Sequence, residues 1–96
     1  RIYSMAYKYH IDPGHGWIEV PYAEIVALGI QDEISEFSYR DGDTCFLEED
    51  CDAYLWQHSH NGRYGVDPEV VIVQHDDIEA ECFIRCLDRY WMGEIV

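Results

Sequence analysis

The sequence predicts an α+β fold: a small, largely antiparallel β-sheet of four to five strands with two short helices on one face. Three observations carry this. Residues 37–52 read as a β-hairpin that runs directly into the acidic start of a helix. Two earlier segments, 6–10 and 16–20, alternate in the two-residue period of strands. Pro21 and Gly29 bracket a run with helical spacing, Pro where a missing N–H costs nothing and Gly where a helix ends in positive φ.

In chain order, Tyr7 and Tyr9 fall on one face of the first strand and Lys8 on the other. Asp12-Pro13-Gly14 has turn chemistry, since Pro fixes φ and Gly accepts positive φ. In the second strand Trp17 and Glu19 oppose Ile18 and Val20. The first helix, with Pro21 as its first residue, carries Tyr22, Ile25, Val26 and Leu28 up to Gly29. Residues 30–34 add a further turn, with Ile34 against the core. In the hairpin, strands 37–40 and 43–47 flank Asp41-Gly42, a type I′ signal. That loop sets Arg40 opposite Asp43, Tyr39 opposite Thr44 and Phe37 opposite Phe46.

Glu49 or Asp50 is expected to cap the second helix, where a carboxylate meets free N–H groups and the positive dipole end. Cys51, Tyr54, Leu55 and His58 are spaced to share its inner face, and Asn61-Gly62 to end it. Residues 63–68 form a loop. The β-branched run 70–73 reads as a buried strand. Residues 78–92 fit a strand slightly better than a helix, pairing with 70–74 before an aromatic tail. Residues 5–96 form one domain. Arg1–Ser4 reads as an extraneous leader, with Met5 the natural start.

Twenty carboxylates face six basic groups, a net charge of -14. Such a surface repels nucleic acid and anionic membrane and attracts basic surfaces. No basic stripe exists to neutralise phosphates, so direct nucleic-acid binding is disfavoured. No apolar run has the roughly 18 residues of a membrane span, and no signal-peptide core is visible near the N-terminus. Cys45, Cys51, Cys82 and Cys86 are then expected as reduced thiols in a cytoplasm.

Chemistry finds little support in the sequence. The cysteine spacings, with five and three intervening residues, do not fit paired zinc ligands well. Cys82 and Cys86 with His58 and His60 are the nearest candidates. The acids around Asp41 and Asp43 do not fall into a calcium-loop register. No nucleophile motif is present, and His10 and His15 beside the turn read as structural. The expectation is a non-enzymatic protein without metal or cofactor.

From residue 14 to about residue 53 the chain resembles a family of small, uncharacterised phage and plasmid proteins. The resemblance rests on Gly14-His15-Gly16-Trp17-Ile18-Glu19-Val20-Pro21, Leu28-Gly29-Ile30, Ile34-Ser35, Phe37-Ser38-Tyr39 and Leu47-Glu48-Glu49-Asp50-Cys51-Asp52-Ala53. It covers less than half of the chain. The C-terminal half departs from the family pattern and is richer in acid and cysteine. The family has no established activity, so no catalytic residue carries over. What the resemblance implies is a setting, a mobile element acting in the cytoplasm of a bacterial host.

Charge and setting together point to an inhibitor of a host nucleic-acid-targeting defence complex, a CRISPR effector above all. It would occupy the effector's basic DNA-binding surface as a nucleic-acid mimic. The predicted partner-binding residues are Asp41, Asp43, Glu48, Glu49, Asp50, Asp52, Asp76, Asp77, Glu79 and Glu81. Two alternatives stay open: an accessory protein whose acidity serves only solubility, with an aromatic surface for homodimer formation, and a small Cys/His metal-binding protein.

Overall fold

The computed structural model describes residues 6–76 and 82–91. Alternation at the N-terminus gives β1 (Ala6–Ile11) and β2 (Gly16–Pro21), which pair antiparallel with Tyr9 opposite Ile18 and His10 opposite Trp17. The turn between them is closed by Asp12, whose Oδ1 accepts the N–H groups of Gly14 and His15 at 2.9 and 2.8 Å. Pro21 stays extended (φ -60°, ψ 137°) and ends β2, so α1 (Tyr22–Ala27) starts one residue later than the proline signal predicts. Gly29 at φ 73° follows the helix, as its chemistry requires.

The hairpin forms in a shifted register. β3 (Tyr39–Asp41) and β4 (Thr44–Glu48) pair Asp41 with Thr44, Arg40 with Cys45 and Tyr39 with Phe46. A type I′ turn at Asp41-Gly42 needs positive φ at both residues, and only Gly42 (59°) has it. The central pair is therefore Gly42-Asp43, with the φ signs of a type II′ turn. Arg40 does not pair with Asp43. Its guanidinium lies 3.7 Å from the centre of the Tyr22 ring, and its Nε donates to the Gly42 carbonyl at 2.7 Å. Phe37 lies outside the ladder and is exposed.

α2 (Asp52–Tyr64) begins after Cys51 and has no side-chain cap, so neither Glu49 nor Asp50 caps it. It runs past Asn61-Gly62 to Gly65, whose φ of 77° ends it while its N–H donates to the Asn61 carbonyl. Its inner face also differs from the predicted one. Trp56 is fully buried, whereas Cys51, Tyr54 and His58 are exposed.

The six described strands form one sheet in the order β5-β1-β2-β4-β3-β6. β5 (Glu69–Gln74) is the predicted β-branched strand, but it is not buried. It lies at the edge, parallel to β1, with Val70, Val71 and Ile72 exposed. Among the described residues, 82–91 do not pair with it. Phe83–Cys86 is a 3-10 turn, and β6 (Asp88–Arg89) pairs with β3 at the far edge. Tyr90 explains the crossing: its N–H donates to the Ser38 carbonyl at 2.9 Å, and its buried ring sends the hydroxyl to the Gln31 carbonyl at 2.6 Å. Residues 77–81, which include the start of the predicted last strand at 78, lie outside the described residues.

Two cores follow from the strand alternation. On one face Ile18, Val20, Cys45 and Leu47 pack against Ile25 of α1, Trp56 of α2 and Tyr90. Ile34 packs against the same cluster, as its position predicts. On the other, Trp17, Tyr39 and Phe46 are covered by Cys82 and Ile84. The result is an α+β domain with a mostly antiparallel sheet and both helices on one face.

Candidate functional site

The predicted acidic row divides into internal and external groups. Asp52 is 1% exposed. Its carboxylate accepts the Ser35 N–H at 3.0 Å, the Ser35 hydroxyl at 2.6 Å and the Ser38 hydroxyl. It serves as a hub joining α2 to the segment before β3 and is not available to a partner. Glu48 is 8% exposed and accepts the Asp50 N–H at 2.9 Å. Burial pushes its carboxyl above the usual range, reinforced by Asp50 and Glu49. Both residues leave the predicted interface, because strand alternation and the serine donors turn them inward.

The remaining acids sit at the two ends of β4. Asp41 and Asp43 are exposed at the turn, and Asp50 is exposed beyond the other end. The five residues of β4 separate Asp43 from Glu49, roughly 20 Å of extended chain. Glu49 is half-buried and accepts the Tyr9 hydroxyl at 3.2 Å. Burial and this carboxylate push the Tyr9 phenol up to about 12. Asp76 is exposed past the end of β5, while Asp77, Glu79 and Glu81 lie outside the described residues.

The turn acids gain a neighbour that the sequence reading missed. The β3–β6 register sets exposed Asp88 opposite Arg40, one position along from Asp41. The Tyr90 hydroxyl holds Gln31 and, with it, the exposed pair Asp32 and Glu33 to the same side of the sheet. Asp41, Asp43 and Asp88 are thus exposed at the β3–β6 margin of the sheet, with Asp88 on the Arg40 face and Asp41 on the other. Nothing in local spacing brings Asp88 to this margin; it is there because residues 88–89 cross to β3.

The basic residues are largely occupied. Arg85 donates to both Asp12 oxygens, at 2.7 and 3.0 Å. That pairing holds the Asp12 carboxyl well below the usual carboxylate range. Arg40 is engaged as described. Among the described residues this leaves Lys8, Arg63 and Arg89 as the exposed cations, Arg89 over the Tyr39 ring at 4.5 Å.

On the second face of the sheet a groove of about 460 Å³ is lined by His15, Trp17, Tyr39, Glu48, Arg85 and Arg89, among others. The Trp17 indole N–H is buried without a hydrogen-bond partner among the described residues. Further along this face, buried His10 links Glu19 (Nε2 to Oε1, 2.8 Å) to His75 (Nδ1 to Nε2, 2.9 Å). The Glu19 carboxylate can only accept, so His10 Nε2 carries the proton in that hydrogen bond. Phe46 and Phe83 pack edge-on against the His10 ring. The chain ties β1, β2 and the end of β5 together. Cys45 and Cys82 are buried, and Cys51 and Cys86 exposed. The neighbouring Asp52 carboxylate pushes the Cys51 thiol up, which lowers its thiolate fraction. No cysteine joins the one three-residue group of potential ligands among the described residues, His15, Glu48 and Glu49. No helix among them is long and apolar enough to cross a membrane. Set against known protein families, curated proteins and solved structures, the chain finds no match in any of the three.

Proposed function

We propose that the protein is a non-enzymatic acidic binder that inhibits a host nucleic-acid-targeting complex, a CRISPR effector being the favoured target, by occupying its basic DNA-binding surface. The observation that carries this is the imbalance of free surface charge. Two of the arginines are consumed internally, while Asp41, Asp43 and Asp88 at the β3–β6 margin and Asp32 and Glu33 next to Gln31 remain exposed. A polyanionic edge meets a cationic channel through fast, salt-sensitive association. The interface differs from the row predicted by spacing alone: Glu48 and Asp52 are replaced by Asp88 and the acids beside Gln31.

The test is charge reversal at exposed positions. Asp41→Lys, Asp43→Lys and Asp88→Lys together are expected to weaken effector binding by about tenfold or more, with the circular dichroism spectrum unchanged. Binding of the unaltered protein should fall steeply as salt is raised past the physiological range. A triple variant that inhibits as well as the parent would reduce the acidity to a solubility coat.

A further inference from the structure

We infer that His15, Glu48 and Glu49 form a site for one divalent transition-metal ion, of the zinc or cobalt class. One ligand atom from each lies within 4.8 Å of the other two. Side-chain rotation can close that spacing onto bonds of ~2.0–2.2 Å. The donor set is one imidazole nitrogen and two carboxylate oxygens, which suits zinc-like ions better than calcium, whose cage is all oxygen.

The group stands on rigid backbone. Glu48 faces Trp17 in the β2–β4 ladder, and the Glu49 N–H donates to the Gly16 carbonyl at 3.0 Å. His15 and the two glutamates are thereby fixed at adjacent strand ends. Glu49 is steered further by the Tyr9 hydroxyl. A Cβ at Gly16 would lie 3.0 Å from Glu49 Oε2 and 2.8 Å from the Tyr9 ring, so the absent side chain keeps this corner open.

A second, independent observation is the state of Glu48. More than nine-tenths of this residue is buried, and among the described residues its carboxylate takes a single hydrogen bond, from the Asp50 N–H. No Lys or Arg pairs with it among the described residues; the two ion pairs there are Glu19 with His10 and Asp12 with Arg85. A buried carboxylate beside two more is costly to ionise, and a cation bound there would compensate that cost. A metal ion supplies that charge. His15 and Glu48 also line the groove. Three protein ligands leave the fourth position of a tetrahedral ion open on that side to water or a small anion.

The experiment is zinc titration of the full chain by calorimetry, with cobalt substitution followed by visible absorption. One zinc per chain is expected. His15→Ala and Glu49→Gln, both at positions that are not buried, should each weaken it more than ~100-fold, beyond the ~10–100-fold that a supporting residue contributes. The Cys51→Ser/Cys86→Ser double variant should bind as the parent does, and the cobalt spectrum should lack thiolate charge-transfer bands. Retained affinity in His15→Ala, loss of binding in the cysteine variant, or no binding at millimolar zinc would each overturn the site. None of these outcomes depends on whether the protein inhibits an effector.

Discussion

At the scale of single residues, carboxylates that look alike in sequence do opposite work. Asp52 and Asp50 stand two positions apart in one acidic run. One is an internal acceptor for Ser35 and Ser38, and the other is exposed. The acidic run was legible, but its division was not, because the serine donors arrive from 14 and 17 residues away. Asp12 was read as a turn former, and it is one, yet it also anchors Arg85 across 73 positions. Its carboxyl is held below the usual range first by the Arg85 hydrogen bonds and then by backbone N–H groups, against a burial penalty. The native state therefore favours the ionised form. The stability it adds is present above the unfolded carboxyl pKa, near ~4, and is lost as the pH falls through the lower native value. Asp12→Asn should cost about 1–2 kcal/mol at neutral pH, allowing for the partial exposure of Arg85. Urea unfolding should show the gap to the parent narrowing in strong acid. A gap of the same size there would mean that the turn amides, and not the charge, carry the effect.

At the scale of elements, the existence of strands and helices was far easier to read than their burial. The β-branched run of β5 makes a strand in any setting, and composition does not say whether that strand is central or at an edge. Its position was decided by the parallel pairing with β1, which covers one side only. The same blindness affects α2. Spacing alone selects Cys51, Tyr54, Leu55 and His58; of these Leu55 packs against the core, but the fully buried residue is Trp56, which meets the Tyr7 ring edge-on at 4.7 Å. The hairpin shows a subtler case. The turn glycine is foreseen, but spacing sets Phe37 opposite Phe46, whereas the structure pairs Tyr39 with Phe46 and packs Arg40 over Tyr22, a residue of α1. Substitution separates the buried from the merely apolar. Trp56→Ala should cost about 3–5 kcal/mol, and Ile72→Lys within about 0.5 kcal/mol of zero, by chemical denaturation. A large loss at Ile72 would place β5 inside the cooperative core despite its exposure.

At the scale of the whole molecule, the decisive long-range event is the chain's crossing to the β3 edge through Tyr90. It brings Asp88 opposite Arg40 and thereby adds an exposed acid to the β3 margin on which the proposed function depends. Alternation within residues 78–92 does not encode that destination, because the pull comes from the Ser38 and Gln31 carbonyls elsewhere in the chain. The same crowding of charge has a cost for the free protein. A net charge of -14 on 96 residues strains the compact state through self-repulsion. Screening should relieve it, so the thermal midpoint should rise as salt is added from low concentration to the physiological range, by about 4–8 °C for each kcal/mol relieved. Affinity for a basic partner must move the other way over the same range, because the ions that shield acid from acid also shield acid from Arg and Lys. Scanning calorimetry and a binding titration in matched buffers measure both slopes. Rising stability with falling affinity is the signature of a dense anionic surface. A midpoint that stays flat would mean that the acids stand too far apart to sense one another, and a surface so dilute could not compete with DNA for a cationic channel.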